Sequence, residues 1–429
     1  MIKRIFLASL FLLTLLFSQA QAIDEIINIK EVERIEKVLA ADDMQGRKPA
    51  TPGGLKAASF IEDEFKKAGL QFLPGLNSFM QTFTIEKAKL VSAEGSINGK
   101  PLSADNIICM TTQPLVTISE TSGYKIVVAD TSNIVTQAKR IMKDETNCIV
   151  LVNHFQAGNF NKLKYLRRDA FGMKYSIIFI STDESSATNY NFNIKHDVTT
   201  SELKNVVGIL PGKTKKEEFV VFSGHYDHLG IGKPNADMDS IYNGANDDAA
   251  GTTAVIMLAN HFSKMKNNER TLIFVAFTSE ESGGYGSRYF SQHIDATRTV
   301  AMFNIEMIGT ESKWGKNSTY ITGYEKSDFG KILQANLAGT DFHFEPDPYP
   351  NQKLFYRSDN ATLAALGVPA HTISTSKMDS EKYYHTVDDE IETLDMNNMA
   401  AIIKAIAISS KTIVNGKETP TRIEKVNGQ

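Results

Sequence analysis

Histidine and carboxylate side chains collect directly after several apolar segments in the second half of the chain. His225 and Asp227 follow one such segment, Glu280 and Glu281 follow another, and Glu306 follows a third. Zinc binds imidazole nitrogen and carboxylate oxygen, and two zinc ions about 3.5–4 Å apart require a carboxylate that both can share. A set of His, Asp and Glu residues without cysteine therefore predicts a paired zinc centre.

Two further clusters carry the same residue types. Asp247 and Asp248 stand directly before an apolar helical segment, and His385 lies in the polar stretch 383–389. Each cluster also has an ordinary explanation: Asp248 is expected to cap the helix that follows it, and one histidine or one Glu-Glu pair is usually a solvated polar group. Their recurrence beside glycines, which permit tight turns, favours a functional site.

Apolar strands that alternate with helices are predicted to position these clusters. Residues 219–223, 271–277 and 299–304 are typical of buried strands, and a shorter one is expected at 370–373. This alternation indicates an α/β fold, with a mostly parallel mixed sheet between layers of helices. Functional groups of such sheets gather beyond the carboxyl ends of the strands, so the clusters should meet there. Helices are predicted at residues 26–39, 55–68, 249–262, 286–293, 359–366 and 396–414.

The pattern changes in the middle of the chain. Between residues 101 and 202 the sequence shows short strand-like segments and one helical segment at 134–142. We predict a smaller β-rich domain there, inserted into a main domain formed by residues 23–100 and 203–429. Cys109 and Cys148 are the two cysteines of the chain, and the sequence leaves open whether they pair.

The first 22 residues have the layout of a secretory signal peptide. Lys3 and Arg4 precede the apolar stretch 5–17, and cleavage is expected after Ala22. The apolar stretch is short for a membrane span, so we expect an exported protein, periplasmic or secreted, with no stable membrane insertion after cleavage. The formal net charge of −4 over 429 residues offers no basic face for nucleic acid.

Five motifs in a fixed order resemble the co-catalytic di-zinc peptidase family of secreted bacterial leucine aminopeptidases and glutamate carboxypeptidases. The similarity covers roughly residues 30–75, with the Gly46-Arg47 loop, and residues 203–415. Any one of the motifs would be a weak signal, whereas five in order are specific. The motifs are His225-Tyr226-Asp227, the Gly-Ala-Asn-Asp-Asp-Ala-Ala-Gly loop at 244–251, Glu280-Glu281, Glu306-Met307 and Tyr384-His385-Thr386.

The resemblance implies a ligand set for two zinc ions. Asp247 would bridge them, Glu281 and His385 would complete one site, and His225 and Glu306 would complete the other. Many relatives have Asp where this chain has Glu306, which offers the same oxygen donors on a side chain one methylene longer. A cis peptide bond after Asp247 is a further feature that the resemblance leads us to expect.

Other roles follow from the same resemblance. Glu280 would be the general base, and Asp227 would accept a hydrogen bond from the histidine two residues earlier and fix its tautomer. Tyr384 is expected to stabilise the oxyanion, with simple packing beside His385 as the alternative. Arg357 and Asp359 are expected at the substrate cleft, where Asp359 is equally suited to cap a helix. His228 and His371 are interpreted as structural residues.

The function implied is that of an exported metallo-exopeptidase, with an aminopeptidase acting on peptides as the leading interpretation. Within the family the alternatives are a dipeptidase or a carboxypeptidase. A glutaminyl cyclase-like acyltransferase with one zinc is a rival from another enzyme class, and a binding protein on an inactive peptidase scaffold is a non-enzymatic one. The position of residues 101–202 matches that of a protease-associated lid domain in some relatives.

Overall fold

The computed structural model describes residues 23–129, 133–166 and 171–426. The signal peptide predicted for residues 1–22 lies outside them. No helix in these ranges has the length and apolar character needed to span a bilayer. The chain divides into two compact units, one formed by residues up to Phe83 together with those from Leu203, and the other by Thr84–Glu202.

The first division lies within a strand rather than near residue 100, where the sequence analysis placed it. The reason is that the strand Met80–Ile97 runs without interruption through the position, so no loop marks it. The strands are, in chain order, β1 (Gln71–Phe72), β2 (Met80–Ile97), β3 (Lys100–Leu102), β4 (Ile107–Met110), β5 (Leu115–Ser119), β6 (Lys125–Val128), β7 (Cys148–Val152), β8 (Ile177–Ser181), β9 (Tyr190–Leu210), β10 (Lys215–His225), β11 (Gly230–Ile231), β12 (Ile241–Tyr242), β13 (Arg270–Phe277), β14 (Thr299–Ile305), β15 (Ser318–Ile321), β16 (His343–Pro346) and β17 (Ala370–Ser374).

The helices agree with the predicted segments to within a few residues at most ends. One predicted helix, at 396–414, is divided in two at Ser410. The α-helices are α1 (Ile29–Leu39), α2 (Pro52–Lys67), α3 (Ile134–Lys143), α4 (Ala157–Phe160), α5 (Ala250–Met265), α6 (Tyr285–Gln292), α7 (Phe329–Asn336), α8 (Asn360–Ala365), α9 (Met396–Ser409) and α10 (Lys411–Val414).

A mixed sheet forms the centre of the first unit, and the α/β fold is confirmed. Its strands lie in the order β16-β15-β17-β14-β10-β13-β9. β10 pairs parallel with both β13 and β14, and β14 pairs parallel with β17, whereas β9 runs antiparallel to β13. The central parts of these strands are apolar because helices cover both faces of the sheet.

Alternate residues of the central strands enter two separate cores. Phe222 lies in register with Phe274 and Phe303, and the three rings stack on one face with centroid separations of 5.5 and 4.8 Å from Phe222. Val221 and Ile273, one residue earlier in β10 and β13, belong to the core on the other face. Helix α5 covers the first face and is buried on nearly all sides, which explains why its sequence is apolar throughout.

The second unit has its own four-stranded sheet, in the order β4-β8-β7-β6. Cys109 in β4 packs with Ile178 in one core cluster, and Cys148 in β7 packs with Ile177 in another. The two thiols therefore point to opposite faces of the sheet, with strand β8 between them. Because a disulfide requires Cα atoms within about 7 Å and converging side chains, the two cysteines form no disulfide with each other, which resolves the alternative left open by the sequence.

Candidate metal centre

Three neighbouring parallel strands bring the predicted clusters together. In the sheet register His225, the last residue of β10, lies beside Phe277, the last residue of β13. β14 pairs with the other side of β10 and ends one residue before Glu306. Glu280 follows β13 by three residues. The carboxyl ends of these strands thus place the histidine and carboxylate clusters at one edge of the sheet, as the sequence analysis expected.

Asp247 lies at the centre of the cluster, with one carboxylate oxygen on each side. Its Oδ1 is 3.2 Å from Nε2 of His225, and its Oδ2 is 3.2 Å from Nε2 of His385. The same nitrogen of His385 is 3.1 Å from Glu281. His225, Asp247 and Glu306 offer ligand atoms that all lie within 4.8 Å of one another. This is the arrangement that a carboxylate shared by two metal ions requires.

The residues fit zinc on two grounds. The donors are imidazole nitrogens and carboxylate oxygens, which zinc binds in catalytic sites. Nε2 of His225 is buried and has no hydrogen-bond partner among the residues described, although it contacts Asp247. A buried ring nitrogen without a partner is costly unless a ligand satisfies it. The ring nitrogen is therefore available to a metal ion.

His228 also belongs to the cluster, contrary to its interpretation as a structural residue. It is buried, and its Nδ1 lies 3.0 Å from Oε1 of Glu281. His228, Asp247 and Glu281 form a second group of ligand atoms within 4.8 Å of one another. Burial opposes ionisation of Glu281, but the neighbouring imidazoles of His228 and His385 hold its pKa below the usual value. The signal that could have identified His228 is its place three residues after His225 in the same loop.

His371, by contrast, has the structural role expected for it. Its Nδ1 lies 2.8 Å from the carbonyl oxygen of Thr322, and its Nε2 is 2.7 Å from the hydroxyl of Ser327. Burial lowers the pKa of His371 to about 4, so the ring is neutral at physiological pH. A neutral ring with both nitrogens in polar contact needs no metal.

The loop that carries Asp247 is held by a carboxylate from the C-terminal part of the chain. Asp389 accepts hydrogen bonds from the backbone amides of Asn246 at 2.8 Å and Asp247 at 3.0 Å. The peptide bond between Asp247 and Asp248 is cis, which confirms the expectation. Asp389 has no sequence signal of its own beyond lying near His385, because its partner is remote along the chain.

Asp248 ties three segments of the site together. Its Oδ1 accepts hydrogen bonds from the amides of Gly251 and Met307, at 2.9 and 3.0 Å, and its Oδ2 accepts one from the amide of His225 at 3.1 Å. The bond to Gly251 serves the first turn of α5, as expected of a cap. A Cβ at Gly251 would lie 2.1 Å from the carbonyl oxygen of Ile305, so glycine is required for this close approach.

Asp227 contacts a different atom from the one expected. Its carboxylate Oδ1 is 3.8 Å from Nδ1 of His225, whereas its backbone carbonyl is 3.1 Å from that nitrogen. The carboxylate instead accepts a hydrogen bond from the backbone amide of Glu280 at 3.0 Å. Burial raises the pKa of Asp227 to about 7. The turn between the two residues lets the carbonyl reach His225 and leaves the carboxylate to position the loop of Glu280.

Glu280 faces the cavity beside the cluster. Its backbone is fixed by Asp227, and its side chain lines a cavity of about 90 Å³ together with Asp247, Glu281 and Glu306. Burial raises the pKa of Glu280 well above its usual range, and the nearby carboxylates of Glu306 and Asp359 add to the effect against the opposing influence of His225. A carboxylate with a raised pKa beside a metal cluster is suited to accept and return a proton.

The cavity also receives two of the residues expected at the substrate cleft. Tyr384 lines it, and its ring stacks on that of His385 with a centroid distance of 3.8 Å. Arg357 lines it as well, and its guanidinium donates to the side-chain oxygen of Gln352 at 3.3 Å. Tyr384 thus packs on the predicted ligand His385, which was the alternative to an oxyanion role, and it also lines the cavity.

Asp359 lies outside the set of residues that line this cavity. It is 1% exposed, and although it occupies the position before α8, its side chain makes no capping hydrogen bond. Burial raises its pKa to about 6. The carboxylate of Asp359 therefore affects the site electrostatically, because its negative charge raises the pKa of Glu280. It does not contact the cavity directly.

Residues 205–409 match the family model described as Peptidase family M28, and this range contains His225, Asp247, Glu281, Glu306 and His385. This part of the chain is similar to peptidase family M28. A probable leucine aminopeptidase of Trichophyton verrucosum is 27% identical over 207 residues, which are 46% of this chain and 53% of that protein. The chain thus aligns with about half the length of this relative.

Solved structures of other proteins share the fold of this chain, at lower sequence identity than the relative above. An aminopeptidase from Aneurinibacillus sp. strain AM-1 superposes with a TM-score of 0.54 at 18% identity, covering 95% of this chain and 97% of the other. A zinc aminopeptidase from Bacillus subtilis gives a TM-score of 0.55 at 16% identity, with 92% and 97% covered. At these identities the likeness concerns the fold.

Three non-glycine residues of the candidate metal centre have left-handed backbone angles. φ is +64° at Ser279, +52° at Met307 and +57° at His385. Each such residue costs on the order of 1–3 kcal/mol and persists only where the surrounding contacts fix it. The three residues stand before Glu280, after Glu306 and at a predicted ligand. Strained backbone therefore occurs where these side chains must converge, as it also does at positions outside the site such as Lys266 and Lys353.

Arg47, from the N-terminal loop that resembles the family, braces two of the ligand-bearing loops. It is fully buried, and its guanidinium donates to the carbonyl oxygens of Tyr226 at 2.7 Å, Gly244 at 2.8 Å and Leu39 at 2.7 Å, and also to that of Asn243. Tyr226 follows His225, and Gly244 precedes the Asp247 loop. The planar fork of arginine is suited to four fixed acceptors.

Arg47→Met is expected to lower the free energy of unfolding of the metal-free protein by about 3–5 kcal/mol, because a buried charge is removed from its partners. The carbonyls of Tyr226 and Gly244 would lose their donor. Glu36, a buried acid whose pKa burial raises to about 8 against the effect of Arg47, would lose its nearest counter-charge. Urea denaturation followed by circular dichroism measures the change.

Arg298→Met is a matched control, because Arg298 is about two-fifths exposed and pairs with the exposed Glu217. Its effect should stay within about 1 kcal/mol. A change for Arg47→Met as small as that of the control would contradict the bracing role.

Proposed function

We propose that this chain is a zinc-dependent aminopeptidase that removes N-terminal residues from peptides. One observation carries the proposal. Glu280 lines a cavity beside Asp247, whose two carboxylate oxygens face His225 and His385 at 3.2 Å each. A carboxylate that can take a proton therefore stands next to a set of ligands arranged around a shared carboxylate. This combination suits the hydrolysis of an amide bond.

Two zinc ions per chain are part of the proposal. The supporting geometry is that two groups of ligand atoms share Asp247, one with His225 and Glu306 and the other with His228 and Glu281. His385 lies within 3.2 Å of Asp247 and 3.1 Å of Glu281, on the same side as the second group. When bound, the ions would polarise the scissile carbonyl and lower the pKa of the attacking water.

Glu280 is proposed to move the protons of the reaction. It would accept the proton of the attacking water and deliver it to the nitrogen of the leaving amine. Its backbone is fixed by the hydrogen bond from its amide to Asp227, and its location in the cavity leaves its carboxylate free to face substrate. Adjacent Glu281, in contact with both His228 and His385, would be occupied as a ligand.

Tyr384 and Arg357 are proposed to contact the substrate. The ring of Tyr384 is held by stacking on His385, so its hydroxyl could donate to the oxyanion that develops at the carbonyl. Arg357 is exposed on the cavity wall and carries a positive charge for a carboxylate or carbonyl of the substrate. Burial raises the pKa of Tyr384 above its usual value, which keeps the hydroxyl protonated as a donor.

Blocked peptides test which terminus is recognised. A peptide with a free N-terminus and an amidated C-terminus should be shortened stepwise from its N-terminus, whereas the N-acetylated peptide of the same sequence should stay intact. Aminoacyl-nitroanilides should be hydrolysed, with activity lost to a chelator and restored by zinc. Protein carrying Glu280→Gln, purified in parallel, controls for contaminating peptidases. The readout is product mass and released nitroaniline.

Each alternative gives a different product. Cleavage of the N-acetylated peptide from a free C-terminus would indicate a carboxypeptidase, and activity restricted to unblocked dipeptides would indicate a dipeptidase. Cyclisation of an N-terminal glutamine without hydrolysis, by protein with one zinc per chain, would indicate an acyltransferase. A protein inactive on every substrate, with zinc bound, would favour a binding role.

Export is proposed from the layout of residues 1–22 alone. The protein expressed from its full gene in a bacterial host should appear in the periplasm or medium with an N-terminus at Ile23, as read by mass spectrometry.

A further inference from the structure

We propose that His228 is a positioning residue of the metal centre: its ring, with Nδ1 3.0 Å from Oε1 of Glu281, holds the orientation in which Glu281 would ligate zinc. The inference rests on the proposed zinc function and adds to it a residue that the five motifs do not include. It also assigns a purpose to a buried polar side chain that the ligand set leaves unexplained.

The contacts of Glu281 carry the first step. Nδ1 of His228 lies 3.0 Å from Oε1 of Glu281. Nε2 of His385 lies 3.1 Å from each of the two oxygens of the same carboxylate. The carboxylate thus stands between two imidazoles, and without the ring of His228 beside it the plane of the carboxylate could turn about its last bond. A ring fixed beside Oε1 would leave Oε2 to ligate a metal ion.

The position of the ring itself is fixed by the loop of Asp247. Gly244 has φ +55°, and a Cβ there would lie 2.5 Å from Cδ2 and 2.6 Å from Cγ of His228. The imidazole therefore packs directly against the glycine backbone, three residues before Asp247. The backbone amide of His228 also approaches the carbonyl oxygen of Arg47 at 3.4 Å. Both the ring and its backbone are held, as the role of a positioning residue requires.

The number of ligands decides between a positioning role and direct ligation. Catalytic zinc sites keep three protein ligands and one open position. Asp247, Glu281 and His385 already supply three, so a fourth from His228 would close the position that water must occupy. The rings of His228 and His385 stand edge-on, at 71° with centroids 5.7 Å apart. The two rings therefore approach Glu281 from different directions. His228 lies beside Oε1, whereas His385 would ligate the same metal ion as Glu281.

Three substitutions separate the possible roles of His228. In His228→Asn the amide nitrogen stands near the place of Nδ1, in His228→Gln it is displaced, and in His228→Phe the ring shape is kept without a donor. We expect His228→Phe and His228→Gln to lower the affinity for one of the two zinc ions by about 10–100-fold, and His228→Asn to keep an affinity near that of the wild type. Competition against a chromophoric chelator measures each zinc affinity, and thermal denaturation of the metal-free proteins measures folding.

His261→Phe is the matched control, because His261 is a buried histidine of α5 whose ring contacts that of Phe262 edge-on. Its zinc affinities should equal those of the wild type. Unchanged affinities in all three His228 variants would overturn the proposal. Equal loss in Asn and Phe, with one histidine fewer around the metal by X-ray absorption, would overturn it in favour of direct ligation. Absence of zinc from the wild type would instead refute the proposed zinc function itself.

Discussion

Glu280→Gln should lower kcat by about 10²–10⁴-fold while the zinc content stays unchanged, because proton transfer is lost and the ligands are kept. Glutamine has nearly the shape of glutamate but accepts no proton at neutral pH. Since the backbone amide of Glu280, rather than its side chain, binds Asp227, the substitution should leave the loop in place. Hydrolysis of an aminoacyl-nitroanilide and elemental analysis of the same preparation give the two measurements.

Glu325→Gln provides the control for this substitution. Glu325 is about three-quarters exposed and pairs with Lys326 at 3.9 Å, outside the cavity. The variant Glu325→Gln should retain full activity. Activity of Glu280→Gln within a few-fold of this control would show that another group accepts the proton. Loss of zinc from Glu280→Gln would instead show that the residue is a ligand.

Asp247→Ala should abolish the binding of both zinc ions, whereas His385→Ala should abolish only one. The reason is geometric: Asp247 presents one oxygen to His225 and the other to His385, while His385 contacts Asp247 and Glu281 alone among the ligands. Zinc per chain after dialysis, measured by elemental analysis, should fall from two in the wild type to zero and one respectively.

An acidic residue outside the cluster serves as the comparison. Asp237 lies exposed in the loop between β11 and β12, and Asp237→Ala should keep both ions. If Asp247→Ala retained one ion at full occupancy, the carboxylate would belong to a single site. Circular dichroism of each metal-free variant distinguishes loss of a ligand from loss of the fold.

Local sequence was sufficient for much of the first unit. β10, β13 and β14 were predicted because each is a continuous apolar run, and α5 because its apolar residues follow an Asn/Asp cluster. The five motifs gave the proposed ligand set and the cis peptide after Asp247 through family resemblance. These features are encoded in neighbouring residues, or in short motifs whose order along the chain is informative.

Other elements were missed because their residues are not apolar in a local pattern. β15 and β16 are four residues long, and β2 and β9 alternate buried residues with exposed polar ones over long stretches. The unbroken run of β2 also hid the division between Phe83 and Thr84. Such segments are stabilised by pairing with strands that are remote along the chain. The sequence of the segment alone does not predict which strand is its partner.

The sequence by itself determined the α/β fold and most of the histidines and carboxylates of the proposed centre, but not His228. The tertiary structure decided the partners of those residues. The carboxylate of Asp227 binds the amide of Glu280 rather than the ring of His225, Arg47 braces loops far along the chain, and His228 reaches Glu281. The physical reason is that hydrogen bonds depend on distances of about 3 Å between atoms, which only the folded chain fixes.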